Sequence, residues 1–350
     1  MTRYIALPMG EASGVSPEMI IKALQSENHR RYGGVIVIGD LDLFKKVSRD
    51  LLLPLPFSAY VETDEDLKQR QIEGENHIFY NLPTIDMDMF EYGKISENTG
   101  RATYACTAKA VELIQNSFAN ALVTVPLDAR AISMAGIKES RYQTMIPEFC
   151  SSGRGINMLD SSGVKIFSHT HHVPLRKALE DITFEKILDT IIRVDSLTVN
   201  ENIFDTEKPL AIASVNPHHA DSLFYDEEER DILIPAIEAA NNIGINIIGP
   251  VSGDHLMHRA KKGLYRAVIT LFHDQAHIAA MSFDFEHTVT VTWGLPFLVV
   301  GVDRGAMLER AGKNMMQPYN LIQALQKASE YIQIGVNSWK LKNLYFLQYL

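Results

Sequence analysis

Short, nearly uninterrupted apolar runs alternate along the chain with longer amphipathic stretches. Tyr4–Leu7, Val35–Ile38, Ala121–Pro126, Val164–Phe167, Leu210–Val215, Ile245–Ile248, Ala267–Leu271 and Phe297–Val300 are such runs. Continuous apolar segments of this length are the pattern of strands buried on both faces. Thr288–Thr292 alternates Thr with Val and predicts one more strand. Helical spacing marks Leu41–Leu52, Gly100–Phe118 (Ala105, Ala108, Val111, Ile114), Leu175–Val194, Asp226–Asn242 and Gln317–Ile332. Shorter helices are expected at Ala129–Ala135 and Thr144–Cys150. Another begins near Pro17, after a turn at Gly10–Gly14. Glu227, Glu228 and Glu229 crowd a first helical turn, where the helix dipole favours anions. Leu53–Ser96 is mixed, with β-like pieces such as His77–Tyr80. The βαβα order predicts α/β architecture around a parallel sheet.

At 350 residues the chain is long for one core, so two lobes are expected. The boundaries are placed at 1–140 plus 290–350 and at 141–289. Net charge is −10 and no Lys/Arg stripe occurs, so a nucleic-acid partner is not expected. No apolar stretch reaches spanning length, and the N-terminal run is too short for a signal peptide. Cys106 and Cys150 give no disulfide framework, so a cytoplasmic location is expected. Trp339–Leu350, rich in Leu, Tyr and Phe, reads as a packed helix or a subunit contact.

Ten of the twelve histidines fall between His169 and His287. Three segments stand out: His169-Thr170-His171-His172-Val173-Pro174-Leu175, Asn216-Pro217-His218-His219 and Phe272-His273-Asp274-Gln275. Each sits at the end of a strand-like run, where open α/β sheets form ligand crevices. Singly, a histidine there is an ordinary polar cap; three together predict a divalent-metal site. Asp274 beside His273, and Asp254 after Gly253, are candidate acid/base or ligand-orienting carboxylates. Gly294-Leu295-Pro296-Phe297 and Val302-Asp303-Arg304-Gly305 form a glycine-punctuated stretch that lets backbone approach a ligand.

Taken jointly, Gly10–Glu18, Thr170–Leu175, Asn216–His218, Gly253-Asp254, His273–Gln275, Gly294–Phe297, Asp303–Gly305 and Ala311-Gly312 resemble the 4-hydroxythreonine-4-phosphate dehydrogenase (PdxA) family of pyridoxal phosphate biosynthesis. The resemblance runs from Gly10 to about Ala328. It implies a two-lobed α/β fold of the isocitrate/isopropylmalate dehydrogenase type with a central cleft. It further implies a homodimer whose active sites are each completed by the partner subunit. The implied metal ligands are His172, His218 and His273, for Zn, Mg, Mn or Co; His169 and His171 match no ligand. NAD(P) would bind near Gly294, Leu295, Pro296, Asp303 and Gly305. The implied reaction oxidises a β-hydroxy acid, and the β-keto acid then loses CO2.

The departures from the family pattern cluster at its substrate ligands. Counting from His273, the family's lysine falls on Met281, its asparagine on Thr290 and its phosphate-binding arginine on Val299. The family's His-Thr pair falls on Gln143-Thr144, or one residue earlier on Tyr142. A further lysine falls on Ala129, next to Arg130. Met and Val cannot hold a phosphate dianion, so an altered substrate is expected. Arg304 or Arg130 would be the replacement cation, and His277 and His287 are possible new polar contacts. The alternative is a non-redox metal-binding protein, or a hydrolase or lyase on the same scaffold.

Overall fold

The structure is a computed structural model that describes residues 3–26, 32–153, 155–217 and 227–335. The chain divides into two compact units, 1–155 with 294–350 and 156–293.

The first unit is built on parallel strands. In chain order it contains β1 (Tyr4–Pro8), α1 (Ser16–Gln25), β2 (Gly34–Gly39), α2 (Leu41–Leu51), β3 (Ala59–Val61), α3 (Asp64–Ile72), β4 (His77–Asn81), α4 (Glu97–Gln115), β5 (Ala121–Thr124), α5 (Ala129–Met134) and α6 (Tyr142–Phe149). The second unit holds β6 (Ile156–Ser161), β7 (Val164–Ser168), α7 (Leu175–Glu180), α8 (Phe184–Asn200), β8 (Leu210–Ala213), α9 (Ile234–Asn242), β9 (Ile247–Val251), α10 (Gly253–Lys261), β10 (Ala267–Thr270), α11 (His273–Phe283) and β11 (Val289–Trp293). The chain then returns to the first unit for β12 (Leu298–Val302) and α12 (Tyr319–Gln333).

In the first unit the strands lie in the order β3-β4-β2-β1-β5-β12, parallel throughout. Every residue of β1, β2 and β5 is buried, which accounts for their unbroken apolar sequences. In the second unit the order is β11-β6-β7-β10-β8-β9. There β7, β10, β8 and β9 are parallel, whereas β6 runs antiparallel to both β11 and β7.

Several expected elements change. Leu175–Val194 is two helices, with Thr183 capping the second through the Lys186 N–H. Glu229–Leu233 is a π-helical turn leading into α9. The α4 helix begins at Glu97, three residues before Gly100, because Ser96 and Thr99 form a reciprocal capping box. Gly100 therefore sits inside the helix. A Cβ there would lie 2.0 Å from the Ala131 carbonyl oxygen, so the glycine lets α4 pack directly on α5. Five elements went unread in the sequence: β3, α3, β6, α10 and α11. Trp339–Leu350 lies outside the described residues.

The Gly10–Gly14 turn is packed tightly within its own unit. Gly10 has φ +67°, and a Cβ on it would come within 2.5 Å of the Pro126 carbonyl oxygen. Glu11 is fully buried and Ser13 donates to its Oε1 from both N–H and Oγ. Burial pushes the Glu11 carboxyl above the usual carboxylate range. Both cysteines are free thiols, raised by burial to about 12 at Cys106 and about 11 at Cys150.

Candidate functional site: a histidine cluster at the strand ends

The histidine segments follow the carboxyl ends of β7, β8 and β10, which are consecutive parallel neighbours in the order β7-β10-β8. Hydrogen bonds tie the first segment to the end of β10, immediately before the third. The His169 N–H donates to Thr270 O (2.8 Å), and Thr170 donates to Leu271 O from its N–H (3.2 Å) and Oγ1 (2.9 Å). The His172 and His273 ring centroids are 5.2 Å apart, with planes inclined at 46°.

His273 opens α11, and its Nδ1 lies 2.8 Å from Asp274 Oδ1. With Nδ1–H donating to this carboxylate, Nε2 is the ring nitrogen whose lone pair can meet a cation, as in carboxylate–histidine–metal arrangements. Gln275 fastens the start of α11. Its Oε1 accepts from the Leu271 N–H (2.9 Å) and its Nε2 donates to Ser214 O (2.9 Å), just beyond β8.

His218 and His219 lie outside the described residues, but the backbone leading to them is described. Glu229 Oε1 accepts from the Val215 and Asn216 N–H groups (2.7 and 2.8 Å), and its Oε2 accepts from Asn216 Nδ2 (2.7 Å). Glu229 is buried, so it acts as a local clamp and not as the exposed first-turn charge that its neighbourhood in the sequence suggests. The sequence signal was available only as a pairing: a helix-start acid facing an Asn-Pro-His turn.

The remaining histidines of the cluster differ from His172 and His273. The His169 ring is consumed structurally, with Nδ1 against Thr190 Oγ1 (2.7 Å) and Nε2 against Asp181 O (3.0 Å). Burial lowers its pKa. His171 is driven down to about 4, first by burial and then by repulsion from His172, His277, His273 and His169. It therefore stays neutral at ordinary pH. His277 stacks on His273, and His287 Nδ1 is 3.0 Å from Asp284 Oδ1. Among the described residues, no group of three or more His, Cys, Asp or Glu side chains is placed to hold a metal ion.

The other candidates are dispersed through the two units. Asp254 lies in the first turn of α10, where its Oδ1 accepts from the His255 N–H (2.8 Å). Met281 sits on α11 and Thr290 on β11, opposite Leu159. In the first unit, Gln143 and Thr144 open α6, with Thr144 Oγ1 donating to Arg141 O (3.0 Å). Tyr142 instead donates its hydroxyl to Val125 O (2.9 Å). Val299 is buried in β12, opposite Leu122. Gly294 has φ +81°, Leu295 is buried, and Pro296 is exposed. Asp303, Arg304 and Gly305 lie in the loop after β12. Arg130 is engaged twice by Asp128, Nε to Oδ1 at 3.1 Å and a terminal guanidinium nitrogen to Oδ2 at 2.7 Å. No helix among the described residues is long and apolar enough to cross a membrane.

Comparison with known proteins agrees with this arrangement. The family model described as Pyridoxal phosphate biosynthetic protein PdxA matches residues 32–328. A Fusobacterium nucleatum protein named as a D-threonate 4-phosphate dehydrogenase is 30% identical over 331 residues, covering 95% of this chain and 98% of the relative. The crystal structure of a 4-hydroxythreonine-4-phosphate dehydrogenase from Burkholderia phymatum superposes with a TM-score of 0.76 at 27% identity, covering 95% of this chain and 98% of that one. The Klebsiella pneumoniae enzyme of the same name gives a TM-score of 0.82 at 24% identity, covering 95% and 99%, and supports the fold. These relatives are named dehydrogenases, which places the chain among oxidoreductases. With a family match over most of its length and a shared α/β fold, the chain belongs to the PdxA family.

Proposed function

We propose that the chain is a divalent-metal-dependent, NAD(P)-linked dehydrogenase that oxidises the secondary alcohol of a β-hydroxy acid with loss of CO2, and that its substrate carries no phosphate. The observation that supports the metal most strongly is the 5.2 Å approach of the His172 and His273 rings. His218, which follows the adjacent strand β8 in the chain, is the proposed third ligand. Imidazole ligands suit Zn2+ better than Mg2+ or Mn2+, which favour oxygen donors. When bound, such a cation supplies Lewis-acid polarisation of the reacting oxygen.

The chain's own groups carry the rest of the proposal. Asp274 holds His273 in one tautomer. Asp254 is assigned the transfer of the alcohol proton, with Asp274 as the second candidate carboxylate. Gly294, Leu295, Pro296, Asp303 and Gly305 are assigned to the nucleotide, whose nicotinamide takes the hydride. Gln143 and Thr144 are assigned to the substrate, and a homodimer in the cytoplasm completes the reading. Met281, Thr290 and Val299 occupy the positions of the family's lysine, asparagine and arginine, and none carries charge. Losing charge-assisted contacts to a phosphate dianion costs on the order of several kcal/mol. An uncharged distal group on the substrate fits these side chains better.

The test is turnover with NAD+ or NADP+ and each of Zn2+, Co2+, Mn2+ and Mg2+. The substrates compared are 4-hydroxythreonine and threonate, each with and without the 4-phosphate, and a carboxylated cyclic dihydrodiol. The proposal expects a non-phosphorylated substrate to lead in kcat/KM by about 10-fold or more, equivalent to roughly 1.4 kcal/mol. Turnover confined to the phosphorylated compounds would refute the substrate assignment. Cation binding without nucleotide binding would favour a non-redox role.

A further inference from the structure

His273 and His277 are four residues apart on α11 and so lie on one face of the helix. Their rings are stacked, with centroids 3.9 Å apart and planes 10° from parallel. The His273 ring is therefore held from two directions. Asp274 Oδ1 engages its Nδ1 at 2.8 Å, and the His277 ring covers one face. His172 approaches the same ring at a tilt of 46°.

We infer that His277 is a positioning residue for the cation site: its ring backs His273 and fixes the direction of Nε2, without itself binding the ion. The inference rests on the reading that His172 and His273 bind a divalent cation. An imidazole lone pair lies in the plane of its ring. Two stacked rings whose planes are 10° from parallel cannot both point an in-plane lone pair at one cation, so the stack excludes His277 from sharing an ion with His273. What a stacked ring supplies is restraint. His273 otherwise keeps rotational freedom about its side-chain bonds, which it would lose on binding. An imidazole that donates to a cation also becomes electron-poor, and the π-face of a parallel aromatic ring stabilises it. Removing groups that orient a metal ligand typically weakens binding 10–100-fold.

The experiment is a Co2+ titration of the full chain, read by visible absorption and by the dissociation constant, for wild type, His277→Ala and His277→Phe. Thermal melts verify that each variant is folded. Phenylalanine keeps a ring to stack and has no nitrogen. The inference predicts about 10-fold weaker binding and an altered ligand-field band for His277→Ala, with His277→Phe within about 3-fold of wild type. Unchanged binding by His277→Ala overturns the inference and leaves the cation site standing. Equal loss in both variants also overturns it, because the nitrogen and not the ring face would then matter. A wild-type protein that binds no Co2+ removes both the inference and the reading beneath it.

Discussion

Glu229 holds Asn216 by both its backbone and its side chain: Oε1 accepts the Asn216 N–H at 2.8 Å and Oε2 accepts Nδ2 at 2.7 Å. This buried carboxylate fixes the chain where it leaves β8 toward His218. Glu229→Ala strands the Val215 and Asn216 N–H groups. Both donors are part-buried and water can meet some of their need, so against about 1–3 kcal/mol for one fully buried unsatisfied donor a total loss of roughly 1–3 kcal/mol is expected in urea denaturation, together with weaker Co2+ binding. Native stability in the alanine variant would show that the clamp is dispensable.

Gly10 and Gly136 both have positive φ, +67° and +74°, but their surroundings differ. A Cβ at Gly10 meets Pro126 O at 2.5 Å, whereas none of the neighbouring atoms lies within 4 Å at Gly136. Gly136→Ala should cost about 1–2 kcal/mol, the ordinary left-handed penalty. Gly10→Ala should cost clearly more, because backbone must also move. Comparison of the two denaturation midpoints checks the ordering.

Glu201 ends α8, and burial raises its carboxyl pKa to about 7. A raised acid pKa means that the folded state holds its proton more tightly than the unfolded chain. The associated stability is present below about 4.5 and is lost as pH rises through 7. Allowing for partial solvent screening, the effect is about 1–2 kcal/mol. Glu201→Gln should therefore be more stable than wild type at pH 8 and no more stable at pH 4.5. Parallel stability curves for the two proteins would contradict this.

Met281→Lys places a cation where counting from His273 puts the family's lysine under the proposed reading. If the altered positions set substrate choice, this variant should bind a 4-phosphorylated substrate about 10-fold more tightly, roughly 1.4 kcal/mol, with little change for the non-phosphorylated analogue. Competition between the two substrates measures the shift directly.

Much of this was legible from local pattern. Apolar runs marked β1, β2, β5, β7, β8 and β10, because strands buried on both faces admit few polar residues, Lys165 in β7 being a half-buried exception. The histidine segments were legible because they follow such runs. The helix expected across Leu175–Val194 was not legible as two: neither Gly nor Pro marks the break. The break serves a distant partner, since Asp181 at the end of α7 gives its carbonyl to His169 Nε2. Strand β6 went unread because it carries Asn157, Asp160 and Ser161. Ser161 is buried against partners remote in sequence, its Oγ donating to Ala280 O at 2.7 Å and accepting from Thr288 Oγ1 at 2.7 Å. The Glu229 clamp was hidden for the same reason. A carboxylate at a helix start reads as a dipole partner until the turn that it grips is known.

The most direct test of the account is X-ray absorption at the zinc edge of the zinc-loaded full chain, alongside zinc titrations of wild type, His172→Ala, His273→Ala and the control His287→Ala. The account predicts an imidazole shell with Zn–N distances of about 2.0–2.1 Å, at least 100-fold weaker binding in the first two variants, and wild-type affinity in the control. A zinc site without imidazole scattering, or affinity indifferent to His172 and His273, would contradict it.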